Sequence, residues 1–321
     1  MSAVTPSVEF RVANARVTGV SAVVPAKAHP GVWWTLGAVG GKARLFALGR
    51  DGRVQAVFGV GGVPAGRRWD SLAITKDASG SASLLLGSLA EGRRGRLSLY
   101  QVSEPTTLRS RMLPAREHKV MYPDGGHDAG TLLADPRKGQ VYIVTRSART
   151  AVVFALPGVL GPGVNEMTRV RTLGFGVRSG AFAPDGRLFL RTLTDLRVLD
   201  GSLGGAAEEI RVSGGGDVVG IEADGRRAVL VDRGARPAFR SFSLPRPKEW
   251  DSPEETADVQ LPAPSWDSRL PGGVLGTGAL GGLVLMGVVL GVAALLRERP
   301  SGHRRQAPPP RPRPRRLGHR A

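Results

Sequence analysis

Short turns built on Asp and Gly recur through most of the chain, and they constrain the fold more than any other feature. Each follows one short β-rich run and precedes another, and glycine supplies the positive φ angles that tight hairpins need. The five turns are Asp51-Gly52, Asp77 to Gly80, Asp135 to Gly139, Asp185-Gly186 and Asp224-Gly225. The pattern predicts a succession of antiparallel hairpins, and no amphipathic helix pattern is convincing.

Between residues 16 and 246 the strands group into about five units of four, at a spacing of about 40–50 residues. We place the fourth strand of the second unit near Leu108–Leu113. The last unit lacks a fourth strand, and an unassigned strand lies at Val8–Val12. Joining the two closes a ring and hides both free edges. We therefore predict an all-β propeller of about five, at most six, four-stranded blades over residues 1–245. A β-sandwich and a β-solenoid are the competing folds.

An apolar run follows the predicted propeller. Val274–Leu296 holds 23 residues without a charge, and as a helix it would reach roughly 34 Å, enough to cross a bilayer core of about 30 Å. We predict one transmembrane helix over residues 272–296, after a linker rich in Pro and acids over residues 246–271. The spacings Gly278/Gly282 and Gly287/Gly291 favour close association between such helices.

The flanks of this run predict its orientation. Residues 297–321 contain nine Arg and one Glu, whereas acids dominate residues 250–271. The positive-inside rule then places an extended Arg- and Pro-rich tail in the cytoplasm and the propeller outside, in a single-pass arrangement at the cell membrane. The residues expected to contact the lipid surface are Arg297, Arg299, Arg304 and Arg305. The N-terminus lacks a signal-peptide pattern, so we expect the true start to lie upstream.

Charge and cysteine content narrow the function classes. The net charge is +18, but a large part of it lies in the tail, where anionic lipid explains it better than nucleic acid. The remaining positive charge is spread thinly and is not interleaved with aromatic residues, so no nucleic-acid partner is expected. The absence of cysteine excludes disulfides, thiolate metal sites and cysteine nucleophiles.

Several runs resemble a family of exported β-propeller proteins of actinobacteria. They are His29–Thr35 followed by Ala43–Leu48 and Asp51–Val54, then Arg68–Ala73, Asp128–Pro136 with Gly139–Val144, and Gly180–Arg187. The resemblance implies a signal peptide, a Pro-rich linker, one C-terminal membrane anchor and an Arg-rich end. The chain is a divergent member, because the family's acidic run after the aromatic strand corresponds to Gly37–Gly41 here.

The same resemblance implies carboxylates where the innermost strands begin, facing the central channel. This chain keeps Asp70, Asp128 and Asp217 there and loses the others. A carboxylate ring suits a hard cation such as Ca²⁺, which takes six to eight oxygens. Three acids are a weak metal site, so we predict no cofactor while leaving Ca²⁺ open.

Other chemical signals are sparse. Three His precede the membrane run without zinc-ligand spacing, and no G-x-S-x-G nucleophile motif is present. We therefore predict no catalytic or cofactor-binding residue, and we name Trp34, Trp69 and His127 as candidate ligand contacts. The expected function is a non-catalytic binding module at the cell envelope, with a protein or an envelope polymer as partner. The alternative is a metal-dependent hydrolase of the lactonase, esterase or phytase-like propeller kind.

Overall fold

Five four-stranded blades surround one channel in the computed structural model, which describes residues 3–14, 17–39, 42–64, 69–204 and 207–245. The all-β propeller with five blades is thus confirmed, and the sixth blade is not needed. Within these ranges no helix is long and apolar enough to cross a membrane. The predicted linker, transmembrane helix and tail lie outside the described residues.

The blades follow one another along the chain, and each begins with its innermost strand. The first strand, β1 (Ser7–Arg11), precedes the first blade. The first blade holds β2 (Thr18–Pro25), β3 (Val32–Val39), β4 (Lys42–Gly49) and β5 (Val54–Val60). The second holds β6 (Ser71–Lys76), β7 (Ala82–Gly87), β8 (Arg96–Ser103) and, after the short β9 (Met112–Leu113), β10 (Arg116–Met121).

The remaining three blades have the same antiparallel order. The third holds β11 (Ala129–Ala134), β12 (Val141–Thr145), β13 (Ala151–Ala155) and, after the short β14 (Val164–Glu166), β15 (Thr168–Leu173). The fourth holds β16 (Ser179–Phe182), β17 (Leu188–Arg191), β18 (Asp195–Leu199) and β19 (Glu208–Arg211). The fifth holds β20 (Val218–Ile221), β21 (Arg227–Val231) and β22 (Ala238–Ser243).

The N-terminal strand closes the ring. β1 pairs antiparallel with β22 and so becomes the fourth strand of the last blade. The pairing is reinforced by a stacked contact between Phe10 and Phe239, whose ring centroids are 4.5 Å apart. Closure removes two unpaired edges that would otherwise invite association with other chains.

The core lies between the blades. Among the described residues it divides into five hydrophobic clusters, each shared by two neighbouring blades. Side chains alternate along a strand, so Trp33 enters the cluster shared with the fifth blade and Trp34 the cluster shared with the second. These clusters draw only on residues of the compact unit Met1–Lys248. We therefore expect residues 1–248 to fold on their own.

The predicted position of the fourth strand of the second blade, near Leu108–Leu113, was wrong. The outer strand is β10 (Arg116–Met121), whereas Met112–Leu113 pairs in parallel with β5 of the first blade. Four of the six residues of β10 are polar, and only His118 and Val120 are buried. An outer strand packs on one face only, so its hydrophobic signal is weak. A 3₁₀ helix, Leu89–Arg94, was also not predicted.

The turn after β4 illustrates why glycine is required at these positions. Gly52 has a φ of 73°, which an L side chain rarely adopts. Its carbonyl accepts a hydrogen bond of 2.9 Å from the N–H of Ala13. A Cβ at Gly52 would overlap the carbonyl oxygen of Arg11. The turn therefore packs directly against the strand that closes the ring.

Candidate functional site

The innermost strands bring the sequence-predicted acids to one end of the channel. β2, β6, β11, β16 and β20 contact one another in a ring. The first residues of β6 and β16 bond to the next inner strand through their side chains. The Leu132 N–H of β11 donates to Ser71 Oγ at 2.6 Å, and the Val219 N–H of β20 donates to Ser179 Oγ at 3.0 Å. We call the end of the channel at which these strands begin the channel mouth. Asp70, Asp128 and Asp217 immediately precede the first residues of the inner strands β6, β11 and β20 there.

Asp70 is committed to the protein backbone. Its Oδ1 accepts the N–H of Leu89 at 2.8 Å, and its Oδ2 accepts the N–H of Ala90 at 3.1 Å. Both amides belong to the first turn of the 3₁₀ helix, where backbone N–H groups lack helical partners. Burial raises the pKa of Asp70, although these two bonds and the charge of Arg146 act in the opposite direction. The carboxylate thus positions a loop at the mouth.

Asp128 is paired with an arginine. Arg93 Nη2 donates to Asp128 Oδ2 at 2.6 Å. Among the described residues, Asp128 Oδ1 and the hydroxyl of Tyr122 are buried without hydrogen-bond partners. Burial, followed by the charges of Asp70, Asp128 and Asp124, raises the pKa of Tyr122, so this hydroxyl stays protonated. On this side of the mouth, the neutral hydroxyl of Tyr122 is therefore a hydrogen-bond donor near the carboxylates of Asp70 and Asp128.

Asp217 is also held by an arginine. Arg178 Nη1 donates to Asp217 Oδ2 at 2.9 Å, and the backbone carbonyl of Asp217 accepts from Ser179 Oγ at 2.6 Å. Next to it, the buried Arg191 donates from Nη1 to the carbonyl of Asp195 at 3.2 Å. Burial lowers the pKa of Arg191, while the charge of Asp217 acts to raise it.

Arginines outnumber acids at the channel mouth. Burial lowers the pKa of Arg233, and the neighbouring charges of Arg146 and Arg178 lower it further, against the opposing effect of Asp217 and Asp70. These side chains therefore lie within electrostatic range of one another. The guanidinium of Arg146 lies so close to Gly130 that a Cβ on residue 130 would overlap the guanidinium. The five arginines are Arg93, Arg146, Arg178, Arg191 and Arg233. Asp195 also acts on Arg191, so with Asp70, Asp128 and Asp217 four aspartates face these five arginines and one positive charge is left.

These residues do not fit a calcium ion. The cation needs several free carboxylate oxygens converging on one point. Here both oxygens of Asp70 accept backbone N–H groups, while Asp128 and Asp217 each accept a guanidinium. Within the described ranges, no three His, Asp or Glu side chains group as metal ligands. The mouth thus presents several guanidinium donors and, among the described residues, one buried carboxylate oxygen without a partner, Asp128 Oδ1.

The three candidate ligand contacts have different surroundings. Trp34 is fully buried between the first two blades, which corrects its prediction as a ligand contact: the aromatic pair Trp33-Trp34 is core on both faces. Trp69 is partly buried against Tyr100, with ring centroids 5.9 Å apart. Its backbone carbonyl accepts from Ser21 Oγ at 3.1 Å, so it lies between the starts of β2 and β6.

His127 lies beside the mouth and is held by its neighbours. Its Nε2 lies 2.7 Å from Asp124 Oδ1, a hydrogen bond that lowers the pKa of Asp124. The ring packs against Tyr122 and Phe154, with centroids 4.8 and 4.9 Å away. His127 therefore borders the site as an oriented, partly exposed donor or acceptor.

Sequence reasoning missed the arginines. Arg146 follows β12, Arg191 ends β17 and Arg233 lies two residues after β21, so three successive blades carry a basic residue at the end of the second strand. In the sequence these ends read Val144-Thr145-Arg146, Leu190-Arg191 and Val231-Asp232-Arg233. Aligning the blades strand by strand would have revealed this recurrence, whereas a count of acids could not.

Comparisons with known proteins show likeness in fold alone. No family model matches the chain, and no curated protein does. A gluconolactonase from Xanthomonas campestris is similar in structure at 13% identity and a TM-score of 0.42, covering 75% of this chain and 95% of that one. A luciferin-regenerating enzyme is similar at 10% identity and a TM-score of 0.42, covering 69% and 76%. The calcium-binding protein regucalcin from Agrobacterium tumefaciens is similar at 11% identity and a TM-score of 0.44, covering 75% and 96%.

Proposed function

We propose that this protein is a non-catalytic binding module whose channel mouth holds a phosphate or carboxylate group of an envelope polymer or partner protein. The observation that carries the proposal is the charge of the mouth. Five arginines lie there with Asp70, Asp128 and Asp217, each of which accepts at least one hydrogen bond. Arg146, Arg178 and Arg233 lie within electrostatic range of one another.

An anion would relieve the repulsion among these arginines. Burial is the main cause of the lowered pKa of Arg233. Arg146 and Arg178 lower it further while Asp217 and Asp70 oppose them, so these like charges lie within electrostatic range. A guanidinium presents a planar fork of N–H donors that matches phosphate and carboxylate oxygens. Arg178 is about two-fifths exposed, so its remaining donors face solvent and are accessible to a ligand.

The alternative is a metal-dependent hydrolase. The names of the structurally similar proteins, a lactonase, a luciferin-regenerating enzyme and a calcium-binding protein, agree with that alternative better than with a binding module. Their likeness to this chain is one of fold, and fold does not determine chemistry. We prefer the binding module because of the donor groups at the mouth, which suit an anion and not a cation.

The cellular setting is also proposed. The apolar run of residues 272–296 would tether the propeller outside the cell membrane, with the arginine-rich tail inside. A tether keeps the mouth close to the envelope, where polymers bearing phosphate or carboxylate repeat at high density. Such repeats favour multivalent binding, in which each single contact is weak.

Calorimetric titration of tripolyphosphate into residues 1–248 tests the proposal. The combined variant Arg178→Gln/Arg233→Gln should weaken binding at least tenfold. The matched control, Arg116→Gln/Arg211→Gln, removes two exposed arginines from outer strands and should leave binding unchanged. Equal weakening by both pairs would show a nonspecific charge effect and would overturn the proposal. Neutral dextran should not bind to any of these proteins.

A further inference from the structure

A second cavity lies at the opposite end of the channel from the mouth. It has a volume of about 650 Å³, within the range of small-molecule sites. Its lining includes the last residues of all five inner strands and residues of the segments that follow them, but not the acids or arginines of the mouth. We call it the exit cavity.

The walls of the exit cavity are apolar. Each inner strand contributes an aliphatic or aromatic side chain: Val23, Leu72, Leu132, Phe182 and Ile221. Ile74 and Phe182 are only partly buried, so they keep apolar surface open to the cavity. The lining follows β6 from Leu72 to Lys76 and β11 from Leu132 to Ala134, so the cavity extends along the direction of the inner strands. An unbranched apolar chain suits such a space.

Cations dominate the rim of the exit cavity. Lys27 and Lys76 are exposed there. Neither side-chain ammonium group is paired with a carboxylate of the described residues. Two further cations, Arg137 and Lys138, donate hydrogen bonds to the carbonyl oxygens of Asp185 and Gly201 at 3.2 and 2.7 Å.

Three acids offset part of this charge. Asp135 Oδ1 accepts the backbone N–H groups of Arg137 and Lys138 at 2.8 and 3.1 Å. Glu222 is buried and lies 3.8 Å from Arg50, its ion-pair partner outside the cavity. Asp200 also lies within electrostatic range of Lys138, so four cations against three acids leave the rim with an excess of one positive charge.

We propose that the exit cavity binds an amphiphile with an unbranched alkyl tail and an anionic head group. The tail lies along the channel against the aliphatic wall, and the head group lies at the rim beside Lys27 and Lys76. The site is separate from the arginine-lined mouth, so it stands whether or not the mouth binds an anion.

Titration of hexanoate, octanoate and decanoate into residues 1–248 tests this site. A cooperative melting transition of the segment first establishes that it is folded. Burial of each methylene should tighten binding about fourfold, and decyltrimethylammonium should bind more weakly than decanoate. Affinity that does not change with tail length would overturn the proposal.

Charge variants locate the head group. Lys27→Gln/Lys76→Gln should weaken decanoate binding at least fivefold, whereas Lys119→Gln, on the outer strand β10, should not. Arg178→Gln/Arg233→Gln should also leave decanoate binding intact, which separates this site from the mouth. Equal losses in all three variants would contradict the assignment. Binding to anionic lipid vesicles without any binding of monomeric decanoate would point to a membrane surface and would likewise overturn it.

Discussion

Trp34 Nε1 donates a hydrogen bond of 2.7 Å to Glu104 Oε1, and both side chains are buried. The same carboxylate accepts the backbone N–H groups of Lys27 and Ala28 at 2.8 and 3.1 Å. Glu104 follows β8 of the second blade, whereas its three donors belong to the first blade. A single buried carboxylate therefore ties two blades together.

Replacing that carboxylate should be costly. Glu104→Ala leaves three donors without their acceptor, two of them backbone groups, and should lower the free energy of unfolding by about 3 kcal/mol. The control Glu208→Ala removes an exposed carboxylate from an outer strand and should change stability by less than about 0.5 kcal/mol. Urea denaturation of residues 1–248 measures both. Similar losses in the two variants would contradict the role of Glu104.

Ring closure can be tested on one strand. Phe10 is buried against Phe239, whereas Val8, on the same strand, is 50% exposed. Phe10→Ala should lower the free energy of unfolding by about 3–4 kcal/mol, because it leaves a cavity in the closure. Val8→Ala should cost less than about 0.5 kcal/mol. A Phe10→Ala loss below about 1 kcal/mol would show that the ring does not depend on this strand.

The buried Glu222 predicts a pH dependence. Burial raises its pKa, and the charge of Arg50 only partly opposes this effect. A carboxyl whose pKa is higher in the folded state stabilises the fold below its unfolded pKa of 4.5, and that contribution is lost as pH rises through the folded value. Glutamine does not ionise, so the Glu222→Gln variant does not lose this contribution. The melting temperature of the variant minus that of wild type should therefore increase from pH 4 to pH 8.

The control for this titration is Glu208→Gln. Glu208 is exposed, so the difference between this variant and wild type should stay flat over the same pH range. A flat profile for Glu222→Gln as well, or a gain at low pH that disappears at high pH, would contradict the predicted direction.

The hydroxyl of Tyr122 offers a further test. It is buried, and none of the described residues accepts its hydrogen bond. A buried polar group without a partner destabilises the folded state, so Tyr122→Phe should raise the free energy of unfolding by up to about 1 kcal/mol. Chemical denaturation checks the sign. A clear loss of stability would instead show that the hydroxyl has a bound partner at the mouth.

Local sequence patterns predicted the blades because each hairpin is encoded by its own short stretch of sequence. The Asp-Gly turns mark positive φ angles, as at Gly52 and Gly186, and the inner strands are apolar on both faces because each packs between two blades. The unassigned strand at Val8–Val12 corresponds to β1 (Ser7–Arg11) in the last blade. The outer strand β10 escaped prediction because solvent-facing Arg116, Glu117 and Lys119 interrupt its pattern.

The candidate site was harder to predict. The resemblance directed attention to the starts of the inner strands, but it did not reveal what those acids contact. Arg93 and Asp128 are 35 residues apart in sequence, and Arg178 and Asp217 are 39 apart. Such pairs form only when neighbouring blades pack together, so local patterns carry no sign of them. Nor do local patterns reveal that the backbone N–H groups of a 3₁₀ helix are the hydrogen-bond donors to Asp70.

The central claim is that the mouth is an anion site and not a calcium site. Thermal melting of residues 1–248, after treatment with a chelator, tests it with tripolyphosphate and millimolar Ca²⁺ side by side. At a hundredfold excess over its Kd, tripolyphosphate should stabilise the protein by about 2.7 kcal/mol, or about 5–10 °C, and Arg178→Gln/Arg233→Gln should remove the shift. A rise in melting temperature with Ca²⁺ and none with tripolyphosphate would contradict the account and favour the hydrolase.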